Sequence, residues 1–270
     1  MPVSSSIKRH GGKAYLAKQI RQLFPPHTRY CEPYFATGAV LFSGDGEGVA
    51  EFVNDIDNEL TNFWCRLRDG DDFLRLLREL QCTPLSQVEF EVASACRDEP
   101  DDVMRAWAFF VRNRQSRQGL EEDYCTPTSR LRRGMNEQVS AWLSAVDGLP
   151  EFHARLRRVE IRCQDAQEFI AELDSPEALF YCDPPYIHET RSSVGEYGPH
   201  EMDQVAHASL LGQLAAIQGR FCLSGYRHPL YDGWAKQEGW RRVDFQIDNK
   251  ASSSKSKQIK TECVWLNYEG

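Results

Sequence analysis

Seven short apolar runs punctuate the chain, and longer stretches with helical spacing separate them. Tyr30-Cys31-Glu32-Pro33-Tyr34, Ala50-Glu51-Phe52-Val53 and Val159-Glu160-Ile161-Arg162-Cys163 read as strands. So do Ala178-Leu179-Phe180-Tyr181-Cys182, Phe221-Cys222-Leu223-Ser224, Val243-Asp244-Phe245-Gln246-Ile247 and Cys263-Val264-Trp265-Leu266. The loop between the last two is short enough for an antiparallel hairpin. Gly11-Gly12-Lys13 opens a helix with Leu16, Ile20 and Leu23 on one face, stopped by Pro25-Pro26. From about Phe63 to Leu156 the pattern is mainly helical, with breaks near Pro84, Pro100 and Thr126-Pro127. The alternation predicts an α/β fold: a seven-stranded sheet with an inserted, mainly helical subdomain.

Composition narrows the class. Of 270 residues, 41% are hydrophobic and 27% charged, as in a globular protein. No apolar run approaches a membrane span and the first residues lack a signal-peptide core, so no membrane association and a cytoplasmic location are expected. The nine cysteines are scattered and never spaced CxxC, which predicts reduced thiols and no structural zinc; His and Cys spacing suggests no metal at all. The net charge of −8 does not mark a nucleic-acid binder. Charge is uneven, however. Arg105, Arg112, Arg114, Arg117, Arg130, Arg132 and Arg133 share one stretch, and Lys250, Lys255, Lys257 and Lys260 another; phosphate contact depends on such local faces. The serine-rich piece 251–257 reads as a mobile loop.

The chemistry concentrates at Asp183-Pro184-Pro185-Tyr186, directly after the fourth run. Neither proline donates to a sheet ladder, so the strand ends in a rigid turn. That turn presents a carboxylate, fixed carbonyls and an aromatic ring, a set suited to a flat base bearing an amine. Glu32, Asp55, Asp165 and Asp183 each follow a predicted strand, where open α/β sheets bind ligands. Four acids there suit a ligand rich in hydroxyls and amines, or a cationic one.

These motifs together resemble the Dam-like N6-adenine-specific DNA methyltransferases, over nearly the whole length and in the family's order. Lys8, Gly11, Gly12 and Lys13 look like the family's N-terminal glycine-lysine signature, with Arg9 where the family carries Trp. The stretch from Glu32, Pro33, Tyr34, Phe35, Ala36, Thr37 and Gly38 into Ala39-Val40 looks like the loop that binds S-adenosyl-L-methionine. In it, Tyr34 and Ala36 replace a Phe and a Gly, and a methyl at position 36 demands a backbone that tolerates Cβ. Asn54-Asp55 resembles the acidic strand end that takes the ribose hydroxyls, and Asp165-Ala166 the contact to the cofactor adenine. Asp183, Pro184, Pro185 and Tyr186 resemble the catalytic motif, and Thr261 to Asn267 the family's last strand.

The resemblance implies a Rossmann-like methyltransferase sheet made of residues 1–65 and 155–270, with 66–154 as a target-recognition insert. It implies methyl transfer from S-adenosyl-L-methionine to the N6 amine of an adenine flipped out of duplex DNA. Lys8, Arg112, Asn113, Arg114, Arg117, Arg132 and Arg133 are the implied DNA-binding residues. Enzymes of this kind act as monomers or weak dimers, and some accompany a cognate restriction endonuclease. Cytosine N4 or an RNA adenine offers a similar amine. A catalytically weak DNA-binding module is the reading from another class, motivated by the altered loop. Protein glutamine methylation fits less well, since that family has Asn-Pro-Pro-Tyr, and no full GxGxxG supports nicotinamide chemistry.

Overall fold

The computed structural model describes residues 6–8, 12–190, 198–248 and 259–269, with the side chains of 247, 248, 259 and 260 excepted. Gly11, Arg9, Lys250, Lys255, Lys257 and the serine-rich piece 251–257 lie outside the described residues. In chain order the elements are α1 (Ala17–Arg21), β1 (Arg29–Glu32), β2 (Ala50–Asn54), α2 (Asn58–Arg68), α3 (Gly70–Cys82), α4 (Gln87–Ala95), α5 (Asp102–Gln115), β3 (Leu131–Arg132) and β4 (Met135–Asn136). There follow α6 (Glu137–Asp147), α7 (Leu149–Leu156), β5 (Val159–Arg162), α8 (Ala166–Leu173), β6 (Ala178–Cys182), α9 (Gln204–Ala216), β7 (Arg220–Tyr226), α10 (Pro229–Glu238), β8 (Arg241–Asp248) and β9 (Ile259–Leu266). Seven strands form one sheet in the order β5-β2-β1-β6-β7-β9-β8, as the apolar runs predict.

The chain folds as two compact units: residues 1–22, 35–47 and 57–163, and residues 23–34, 48–56 and 164–270. The first is mainly helical. Phe63 and Trp64 of α2 are fully buried, and Phe63 stacks on Phe110 of α5 at 5.4 Å between ring centroids. Thr83, just past α3, satisfies two indoles: its hydroxyl accepts from Trp107 Nε1 at 2.8 Å and its carbonyl from Trp142 Nε1 at 2.9 Å. Acids and other short polar residues start the helices; Asp69 caps α3 and Asp101 caps α5 by accepting backbone N–H bonds. The helical reading of 63–156 misses one feature. β3 and β4 form an antiparallel hairpin, closed by Arg133 (φ 55°) and Gly134 (φ 75°). Positive φ at both turn residues is the geometry that matches strand twist in a two-residue hairpin. Leu131, Arg132, Arg133 and Met135 are exposed, so no buried alternation marks these strands in the sequence.

The second unit holds the centre of the sheet. β1 pairs parallel with β2 and with β6, β6 pairs parallel with β7, and β9 runs antiparallel between β7 and β8. All five residues of β6 are buried, as a strand covered on both faces requires. Cys31, Cys182, Cys222 and Cys263 are fully buried and act as small core side chains. Strand order reverses between β1 and β6, and the ends of these two strands deliver Glu32 and Asp183. An open α/β sheet binds its ligand at this kind of crevice.

Candidate active site

Asn54, at the end of β2, ties together the tips that carry the acids. It is 1% exposed; its Nδ2 donates to the carbonyls of Pro33 (3.1 Å) and Gln164 (3.0 Å), and its Oδ1 accepts from Gln164 N–H (3.0 Å). One side chain thus fixes the segment after Glu32 and the segment before Asp165. Sequence reasoning singled out Asp55 and passed over Asn54, although a buried Asn at a strand end needs such partners. Asp55 is partly exposed beside it.

Asp165 is exposed, and its Oδ1 accepts from the backbone N–H groups of Gln167 (2.7 Å) and Glu168 (3.2 Å). It therefore caps α8, whose first residue is Ala166, with its second oxygen still available as an acceptor. Glu32 is 2% exposed and accepts a hydrogen bond from the Tyr30 hydroxyl. Pro33 is buried and Tyr34 partly so; burial first, then nearby Cys182, Tyr231 and Asp165, push the Tyr34 phenol well above its ordinary range.

Around Asp183 the groups interlock. The Tyr186 hydroxyl lies 3.2 Å from Asp183 Oδ1 and also bonds to Glu262 of β9. Tyr186 is 7% exposed and meets the Tyr226 ring edge to face at 4.8 Å. Burial, then the Asp183 and Glu262 carboxyls, raise its phenol well above the usual value, so it stays a neutral donor. Tyr181 shares a hydrogen bond of 3.1 Å with Ser224 in the same cluster. Asp183 is partly exposed, Pro184 buried and Pro185 partly buried, so the turn is packed while its acid still meets solvent. Glu262 sits in the run expected to resemble the family's last strand, but no sequence signal marks its contact with Tyr186.

In the helical unit, Phe35 packs on Trp64 at 5.4 Å and on Phe42 at 5.9 Å, and Trp64 Nε1 donates to the Ala36 carbonyl at 3.1 Å. Ala36 adopts φ 44°, the left-handed region where the missing glycine would be at ease. Gly38 has φ 63°, and a Cβ there would meet the Phe35 and Phe42 rings at 2.5 Å. Gly38→Ala is expected to destabilise by about 2–4 kcal/mol, left-handed strain adding to overpacking. A urea-unfolding midpoint equal to wild type would contradict this packing. Thr37 is 7% exposed, and Lys13, in a 3-10 turn, 4%.

Burial sorts the residues expected at DNA. Arg112 is fully buried, bonded to Glu59 (2.6 Å), Glu121 (3.3 Å) and the Ala93 carbonyl (3.2 Å). Its expected contact with DNA is corrected to a structural role: its donors are spent inside the unit. Asn113, 1% exposed, is corrected likewise. It accepts from Lys8 N–H at 2.7 Å and donates to the Lys8 carbonyl at 2.8 Å. Lys8 Nζ donates to the Arg114 carbonyl at 2.7 Å, and burial and the Arg114 charge lower its pKa to about 8. Arg114 is itself half-buried; burial lowers its pKa to about 10, and it donates to the Ala141 carbonyl at 3.3 Å. Arg117, Arg132 and Arg133 are exposed, the last two on the hairpin. Among the described residues no group of three His, Cys, Asp or Glu could hold a metal ion, and no helix is long and apolar enough to cross a membrane.

The sequence matches the family profile for D12 class N6 adenine-specific DNA methyltransferases over residues 10–247. No curated protein matches it. Among solved structures it is similar to a "putative RNA methyltransferase" from Pyrococcus horikoshii, at 10% identity and a TM-score of 0.36, over 94% of this chain and 79% of that one. The family match runs from residue 10, ahead of Gly12, into β8. The chain belongs to the D12 class N6 adenine-specific DNA methyltransferase family.

Proposed function

We propose that this protein methylates the N6 amine of adenine in duplex DNA, using S-adenosyl-L-methionine. The observation that carries the reading is the partly exposed Asp183 in its rigid Pro-Pro turn, at the end of the strand that flanks the sheet's reversal point. The residues present fit the cofactor in kind. Asp55 offers an acceptor for ribose hydroxyls, Asp165 one for an adenine amine, and the acids at the strand ends suit a cationic sulfur. Glu32 to Gly38, Lys13 and Ala166 complete the proposed cofactor set. Bound there, S-adenosyl-L-methionine supplies a methyl group already activated on a sulfonium.

The chain's own residues do the rest. An adenine amine is a weak nucleophile because its lone pair is delocalised into the ring. Asp183 and the Pro184 carbonyl, aimed at the two amine hydrogens, localise that pair and stabilise the charge that develops on nitrogen. Tyr186 and Pro185 hold the turn, leaving little reorganisation for the reacting step. A base inside a duplex cannot reach such a turn, so it must flip out, at a cost of a few kcal/mol. The helical region 66–154, with Arg117, Arg132 and Arg133 exposed, is the proposed duplex-binding part, with Lys8 and Arg114 nearby in the same unit.

Mass spectrometry of nucleosides from unmethylated plasmid incubated with protein and S-adenosyl-L-methionine tests the reading. N6-methyladenine supports it; N4-methylcytosine moves the target base; no methylated base refutes it. Asp55→Ala is expected to weaken cofactor binding about tenfold or more through lost ribose hydrogen bonds, measured by calorimetry. Unchanged affinity would mean that the ribose lies elsewhere.

A further inference from the structure

Asn54 sets two residues side by side at the strand ends. It holds the Pro33 carbonyl and both backbone groups of Gln164, and Tyr34 and Asp165 are the next residues along those segments. The Tyr34 ring packs on the core cluster that contains Phe169, Cys182 and Tyr231, and the residue is only partly buried. Asp165 is exposed and spends one oxygen on the start of α8, which leaves the other as an acceptor. The Tyr231 hydroxyl is engaged with His207 Nδ1 at 3.0 Å, and Cys182 is sealed in the core. Among the described residues the Tyr34 hydroxyl has no hydrogen-bond partner, and it is not one of the polar atoms cut off from the surface. Burial above all holds this phenol well above its ordinary range, so it is a proton donor at any working pH. Tyr34 replaces a Phe of the resembled family, so the oxygen is this chain's own addition. A donor and an acceptor thus stand together where the strands end. Adenine carries the complementary pair on one edge: an amine that donates, flanked by ring nitrogens that accept. A base with a keto oxygen in place of the amine would set that oxygen against the Asp165 carboxylate.

We propose that the Tyr34 hydroxyl donates to a ring nitrogen beside the amine of the cofactor's adenine, while Asp165 accepts from the amine itself. Tyr34 then reads the nucleobase, where a Phe could offer only a ring. The inference rests on the proposed S-adenosyl-L-methionine site, and its test separates the two.

Calorimetric titration with S-adenosyl-L-homocysteine, which carries the same adenosine without the methyl group, needs neither DNA nor turnover. Tyr34→Phe is expected to bind it about three- to tenfold more weakly than wild type, the size of one lost neutral hydrogen bond. Its circular dichroism and urea midpoint should match wild type, because the hydroxyl bonds to none of the described residues. The 1-deaza and 7-deaza analogues each lack one of the two ring nitrogens beside the amine and close the cycle. With one of them, wild type and Tyr34→Phe are expected to bind alike. Equal affinities for S-adenosyl-L-homocysteine, or a loss that persists with both analogues, overturn the inference and leave the cofactor reading standing. A wild type that binds none of the three ligands refutes the cofactor site itself, and the inference with it.

Discussion

Asp183→Ala is expected to cut methyl transfer to duplex DNA by about a thousandfold or more, the scale of losing a principal electrostatic contact to a transition state. The loss falls on kcat, because the carboxylate matters most as charge builds on the amine nitrogen. The fold should persist: Asp183 is partly exposed, and the β6 strand before it is held by parallel ladders on both sides. Tyr186 loses one hydrogen-bond partner but keeps Glu262. Circular dichroism and DNA binding should match wild type while single-turnover methylation collapses. Activity above about a tenth of wild type would remove Asp183 from the reaction, since even one lost oxyanion-type contact costs more.

Arg112→Met carries the second large effect, on stability rather than on DNA. The guanidinium is fully buried and bonded to two carboxylates and a carbonyl. Removing one partner of a buried ion pair costs about 3–5 kcal/mol. Glu59 keeps its pair with Arg97, at 3.5 Å, and Glu121 is the more buried of the two carboxylates. The urea midpoint should fall sharply. Arg117→Ala, at an exposed site, should change stability by less than about 0.5 kcal/mol. If Arg112→Met left stability intact and abolished DNA binding, the buried arrangement would be wrong.

These two residues mark what a sequence can and cannot disclose here. β6 and β7 were legible because strands covered on both faces are continuous apolar runs, and the Pro-Pro turn marks where β6 stops. Family motifs pointed to Asp183 and Asp55 as candidate site residues, and both follow strands of the sheet. Arg112 was misread because charge along a sequence says nothing about which helix face it occupies; α5 turns Arg112 into the unit. The β3–β4 hairpin left no signal because its strands are two residues each and wholly at the surface or nearly so. Asn54 and Glu262 bond to partners 110 and 76 residues away, a kind of information that no local pattern contains. Ala36 is the opposite case. Its departure from glycine was visible, and the φ of 44° shows the strain that the departure implies.

The pairing of Asn113 with the Lys8 backbone bears on how the region 66–154 could be exchanged between relatives. The chain passes between its two units five times, so no single cut delivers either one whole. A graft of residues 66–154 from a relative would bring a new residue 113 to the old residue 8. It would also bring a new residue 119, where Gly119 now leaves 2.6 Å between a hypothetical Cβ and the Lys8 side chain. The N-terminal segment is therefore expected to be inherited together with α5 and Gly119, because a recombinant that brings any residue with a Cβ to position 119 sets it against Lys8.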